Sequence, residues 1–204
     1  MNGLSARRRI LLVGEGAVAD ACARALGLGR RECFAGAVDA APGLSLLRKA
    51  DVLVLAAEDD PSQMLARWLP RLASLSRRRP LRLLVVDEAM ATAATVLAEA
   101  AAQRPAWLQF EYVSIPRRAA RALLAHWPLH WGADPRFGQR IHLMIVGECA
   151  FADALLVQAL RLSGYGTETT RVTLLSATAA EWKRRFQAAY PQAHQVAELR
   201  FESI

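Results

Sequence analysis

Short apolar runs bounded by turn residues alternate along the chain with stretches of helical spacing. This alternation predicts an α/β protein, a parallel doubly wound sheet whose crossover helices cover both faces. Strands are expected near Ile10–Val13, Cys33–Val38, Asp51–Ala57, Leu81–Val86 and Leu108–Val113. Helices are expected near Ala17–Leu26, Leu44–Lys49, Ser62–Ser76, Ala91–Gln103 and Arg117–His126. Asp60-Pro61-Ser62-Gln63 offers an N-cap, a proline at the first helical position and a capping-box glutamine. Only one short helix fits between the second strand and Asp51, which leaves out a strand and predicts the order 2-1-3-4-5.

Trp127–Gln139, with Pro128, Gly132, Pro135 and Gly138, reads as a linker. The expected division is therefore a first unit over 1–131, a linker over 132–140 and a second unit over 141–204. The second unit predicts strand Ile141–Val146, helix Ala150–Ser163, strand Arg171–Leu175, helix Ala179–Tyr190 and a last strand near Val196–Phe201. Thr178-Ala179-Ala180-Glu181 has the form of a capping box. A βαβαβ unit is half of a doubly wound sheet and leaves an open edge. Continuation of the native chain past Ile204, pairing with another subunit and pairing with the first unit are the alternatives.

The two units are related. Val13-Gly14-Glu15-Gly16-Ala17-Val18-Ala19-Asp20-Ala21 recurs as Val146-Gly147-Glu148-Cys149-Ala150-Phe151-Ala152-Asp153-Ala154, identical at seven of nine positions. An apolar strand entering G-x-G-x-x-[G/A] and then a helix is a phosphate-binding turn, because bare backbone lets a pyrophosphate reach the helix N-terminus. The first copy keeps Gly14, Gly16 and Ala19. The second has Cys149 where backbone must approach, and Ser176 where an acidic residue would end the second strand, so it reads as structural. In the first copy Asp39, 25 residues after Gly14, stands about where a ribose-binding carboxylate belongs. The candidate nucleotide site comprises Gly14, Glu15, Gly16, Ala17, Val18, Asp39, Ala57 and Glu58. Glu15 inside the turn and Asp20, expected in the first helical turn, oppose a phosphate by charge. Small residues that merely let helix and strand pack closely are the competing explanation.

Composition narrows the class. In 204 residues, 53% are hydrophobic and 22% charged, a globular balance. No apolar run reaches the roughly 20 residues that span a bilayer. Cys22, Cys33 and Cys149 lack metal or redox spacing, which makes a reducing cytoplasm the simplest setting. The net charge of +7 comes almost wholly from arginine, since Lys49 and Lys183 are the only lysines.

Placed on the predicted sheet, Glu15, Asp39, Glu58-Asp59-Asp60 and Asp87-Glu88 gather at its carboxyl edge. Arg7–Arg9, Arg30-Arg31, Lys49 and Arg77–Arg79 gather at the opposite edge. Glu58, Asp59 and Asp87 could donate oxygens to a cation, or serve as solvated loop residues and caps. The basic edge suits an acidic partner, including a membrane protein, or anionic lipid; without interleaved aromatics it disfavours nucleic acid. His126 and His130 flank Pro128 with no third ligand, and Tyr112 and Tyr190 lack a lysine four residues on. Cys22 and Cys149 are expected in first helical turns, where a thiolate could be stabilised or a small thiol simply buried. No catalytic constellation emerges.

Ile141–Gly147, Thr173-Leu174-Leu175-Ser176, Tyr190-Pro191 and Phe201 resemble the N-terminal nucleotide-binding domain of the Trk potassium-uptake regulators and related channel-gating domains. Ala50–Asp60 resembles the same family's fourth strand and acidic loop. The resemblance implies two degenerate copies of a cytosolic Rossmann-like regulatory domain, non-enzymatic and often dimeric. It further implies NAD(H) or another adenine nucleotide as ligand and a role in potassium transport or channel gating. On matching positions Gly14, Gly16 and Asp39 would hold the nucleotide, and only Gly147 survives in the second copy. An NAD(P)-dependent oxidoreductase and a decayed scaffold for protein contacts are the alternatives; the former needs a proton donor near the carboxyl edge.

Overall fold

A computed structural model describes residues 9–34, 42–57, 61–88, 98, 102, 104–134, 137–164 and 168–204. Most of the expected helix near Ala91–Gln103, the second strand beyond Phe34, and the cap at Asp60 lie outside these residues. The chain divides into two compact units, Met1–Ile115 and Pro116–Ile204.

In the first unit, β1 (Ile10–Gly14), β2 (Cys33–Phe34), β3 (Val52–Ala57), β4 (Leu81–Asp87) and β5 (Leu108–Ser114) form an all-parallel sheet in the order β2-β1-β3-β4-β5. Helices α1 (Gly16–Leu26), α2 (Leu44–Lys49) and α3 (Pro61–Ala73) accompany it. Successive strand residues point to opposite faces, and both faces are apolar. Leu11, Val13, Leu53, Leu55, Leu81, Leu83 and Val85 form one core with Leu47 of α2 and Leu65, Trp68, Leu69 and Leu72 of α3. Leu12, Val52, Val54, Ala56 and Val86 form the other with Val18 and Ala19 of α1. Each fully buried leucine contributes roughly 1.5–3 kcal/mol relative to exposure, and burial on both faces explains the unbroken apolar runs.

α1 ends at Gly27, left-handed at φ 64°, where the Leu28 N–H donates to Ala23 O and the Gly27 N–H to Arg24 O. These are the paired bonds of a Schellman turn. α2 is closed from a distance. The Arg77 guanidinium donates to Leu47 O and, at 2.6 Å, to Ala50 O, and it lies 5.8 Å from the Trp107 ring centroid. Burial lowers its pKa from the usual arginine value, opposed by the charge of Asp51. Arg77 is thus bound into the chain rather than displayed at the basic edge.

The second unit begins with α4 (Ile115–His126), which clusters there apart from its first residue. Beyond it, β6 (His142–Val146), β7 (Arg171–Leu175) and β8 (Glu198–Glu202) form a parallel sheet in that order, with α5 (Ala150–Arg161) and α6 (Ala179–Ala189) between them. Each step moves the same way, so right-handed crossovers put α5 and α6 on one face. Trp182 and Phe186 of α6 pack against Phe201 on that face. On the other face Met144 and Val146 are 55% and 67% exposed. Arg140, Arg171 and Arg200 converge there on Glu198. Hydrogen bonding from Arg200, joined by Arg171 and Arg140 and opposed by burial, lowers the Glu198 pKa to about 2.

Among the described residues no helix is long and apolar enough to cross a membrane.

Candidate functional site

β1 carries the chain through the first core and delivers Gly14 to the carboxyl edge, opposite Ala56 of β3. The strand order reverses at this place: β2 lies on one side of β1, whereas β3, β4 and β5 lie on the other. Such a reversal sends successive crossovers to opposite faces and opens a crevice beyond the strand ends, where ligands bind in this architecture.

Gly14 is required there for packing. A Cβ on it would stand 2.5 Å from Ala56 O, 2.9 Å from Ala56 Cβ and 3.3 Å from Ala19 Cβ, on a backbone at φ +155°. The strand-to-helix turn is therefore drawn tightly against β3 and the first turn of α1. Gly16 opens α1 at φ 79°. Glu15 is its N-cap in extended conformation, with no side-chain cap hydrogen bond, and no acidic residue occupies the first turn. The turn thus exposes Glu15, Gly16 and Ala17 at the positive end of an 11-residue helix. Val18 is only 4% exposed and faces the core, leaving its backbone as the part that a ligand could reach.

Asp20, expected within the first turn, lies beyond it because α1 begins at Gly16. Ala57 ends β3 with its backbone registered on Asp87. Asp39 and Glu58 lie outside the described residues, as do Asp59 and Asp60. Gly14, Glu15, Gly16, Ala17 and Val18 form one continuous turn.

Asp87 is fully buried at the end of β4, and its Oδ2 accepts the Tyr112 hydroxyl from β5. It belongs to the interior rather than to a solvated acidic rim. Among the described residues no three His, Cys, Asp or Glu side chains are grouped to hold a metal ion. Cys22 lies past the first turn of α1, and burial raises its thiol pKa, which disfavours the thiolate.

The second copy of the motif is built differently. Gly147 has φ +89°, but a Cβ there would meet nothing within 4 Å. Cys149 is the extended N-cap of α5. Glu148, the counterpart of Glu15, accepts the Thr178 hydroxyl and, at 2.6 Å, the Arg185 guanidinium. Asp153, the counterpart of Asp20, accepts the Trp182 indole N–H at 2.6 Å and Arg185 at 3.0 Å. Hydrogen bonding from Thr178 lowers the Glu148 pKa below the usual value, opposed by burial and reinforced by Arg185. Burial pulls the Arg185 pKa down, but the Glu148 and Asp153 carboxylates outweigh it and raise the value.

Ser176 forms the start of α6 by accepting the Thr178 N–H at 3.1 Å. The capping box expected from Thr178 does not form its side-chain cap; the Thr178 hydroxyl donates instead to Glu148. This turn is a structural joint between the two helices of its sheet. Arg185 is the residue that sequence reasoning missed: its partners lie 37 and 32 positions away, and no local pattern marks it.

Set against models of known protein families, curated proteins and solved structures, the chain matches none of them.

Proposed function

We propose that the first unit is a non-enzymatic ligand-sensing module whose glycine turn binds NAD(H) or another adenine nucleotide. The observation that carries this reading is a glycine turn, exposed at Glu15 and Gly16, feeding a helix N-terminus at the reversal of strand order. A pyrophosphate there would meet backbone N–H groups and the positive end of α1 without a competing side-chain cap. Resemblance to the Trk potassium-uptake regulators supports a regulatory role in potassium transport or channel gating, in the cytoplasm. It also supports self-association, and the basic edge separately suits an acidic or membrane-protein partner.

Thermal unfolding of the purified chain with NAD⁺, NADH, NADPH, ATP or ADP tests the reading. A ligand bound only by the native state adds about 2.7 kcal/mol at a concentration one hundred times its Kd, a shift of several degrees in Tm. The shift should appear with one nucleotide and vanish in Gly16→Asp, with the variant still folded by circular dichroism. Equal shifts in both proteins would remove the site from Gly16.

A second reading is favoured by the contacts around Gly14. Its missing side chain already has a packing reason against Ala56 and Ala19, as a scaffold retained for protein contacts would need. Absence of any nucleotide shift would select this reading.

A further inference from the structure

At the amino ends of β1 and β3, away from the glycine turn, the first unit contains a cleft of about 880 Å³. Pockets that enclose small molecules are roughly 300–1,000 Å³. Its walls are held in place by features already described. The Schellman turn at Gly27 leads the chain into Leu28, and Arg77 secures the end of α2 through Leu47 O and Ala50 O.

The lining separates by chemistry. Leu11 and Ala50 are buried and form an apolar floor, while Leu26 and Leu46 stand in the lining 42% and 44% exposed. Arg9, Arg31 and Lys49 contribute exposed cationic side chains. Among the described residues no ion pair engages these three cations. The carboxylate in the lining, Glu32, accepts the Gly29 N–H at 2.8 Å. Charge at the opening is therefore predominantly positive, above a surface that water solvates poorly.

The backbone narrows the occupant further. α1 and α2 both end at this cleft, their last carbonyls taken up by the Schellman turn and by Arg77, so neither helix supplies the N–H groups that hold a bare phosphate and the head group falls to the cationic side chains. Among the described residues no aromatic side chain lines it, so none of them offers the stacking platform a nucleobase would use. An anion with an apolar body satisfies both parts of the lining.

We infer that this cleft binds a single-chain anionic amphiphile, with the alkyl chain over Leu11, Ala50 and the two exposed leucines and the head group held by Arg31 and Lys49. The site is separate from the glycine turn and does not depend on nucleotide binding there.

Calorimetric titration of the full chain with dodecyl phosphate and laurate, below their micelle-forming concentrations, tests the assignment. Both should bind at one per chain, while inorganic phosphate and dodecyltrimethylammonium should fail to compete. Arg31→Glu combined with Lys49→Glu should weaken binding at least about tenfold, by replacing two attractions with two repulsions. Leu46→Gln should weaken it without changing its salt dependence. Lys183→Glu with Arg184→Glu makes the same change of net charge elsewhere and should leave affinity unchanged. All these side chains are exposed, and circular dichroism checks that each variant folds.

Absence of binding by the wild-type chain would overturn the assignment, as would equal affinity in the Arg31/Lys49 variant. Displacement by inorganic phosphate would reduce the site to a bare anion site and refute the amphiphile. Tighter binding of an acidic, leucine-containing peptide, or of phosphatidylserine vesicles, through the same residues would assign the surface to that occupant and overturn it as well.

Discussion

The first turn exposes Glu15, whereas the second ties the corresponding Glu148 to Thr178 and Arg185. The two share seven of nine residues, so the difference comes from the sheets that receive them. In the first unit the strands depart from β1 in both directions, and the turn projects into the crevice this creates. In the second they advance in one direction. Crossovers of one hand then put α5 and α6 side by side, and Arg185 of α6 reaches the glutamate of the turn. A glycine-turn motif therefore acquires its meaning from the direction in which the next strands are laid.

The sharpest way to break this comparison is to add one methyl group to each turn. Gly14→Ala should cost about 3 kcal/mol or more, from overpacking against Ala56 together with backbone strain. Gly147→Ala, which meets only open space, should cost roughly 1–2 kcal/mol from its positive φ alone. Chemical denaturation measures both, and equal losses would mean that the two turns are packed alike.

Charge gives the next largest effect. Arg185→Ala removes the cation shared by Glu148 and Asp153 and should cost about 1 kcal/mol, discounted because the arginine side chain is 53% exposed. Glu15→Gln should stay within about 0.5 kcal/mol. A comparable loss in both variants would show that Glu15 is held as firmly as Glu148.

Acid should reveal the same asymmetry. Native Glu148 and Glu198 have lowered pKa values, the latter about 2 against an ordinary 4.5. Between those values the unfolded chain binds more protons than the native one, so stability contributed by these carboxylates is complete above about pH 4.5 and is lost as pH falls toward 2. The Tm difference between the wild-type chain and Glu198→Gln should therefore shrink from pH 5 to pH 3. A constant difference would mean that the arginines around Glu198 do not control its ionisation.

The smallest change is Cys149→Gly, which restores the glycine pattern in the second turn. It should confer no nucleotide binding, because Thr178 and Arg185 still hold Glu148 across the turn. Binding at that turn, measured by the same thermal shift, would show that the cysteine alone had closed it.

Much of the first unit was legible because its strands are buried on both faces. Val52–Ala57 reads as an apolar run without knowledge of its neighbours, and the short interval before Asp51 anticipated the order β2-β1-β3-β4-β5. The βαβαβ succession of the second unit was equally visible. Side-chain commitments across the folded chain were not. Thr178 has the local form of a cap, yet its hydroxyl goes to Glu148, 30 positions away. Asp87 looked like part of an exposed acidic rim, whereas Tyr112 receives it inside the sheet, 25 positions away. Local patterns report which residues need burial; they do not report which polar groups will meet once burial has occurred.

Arg77 gives composition an architectural consequence. Its planar cation reaches two carbonyls at the end of α2 and lies over Trp107, just before β5. A lysine would keep the charge but would present one compact ammonium where a broad fork now spans two acceptors. Among the many arginines of this chain, this one acts as a rivet whose shape matters as much as its charge.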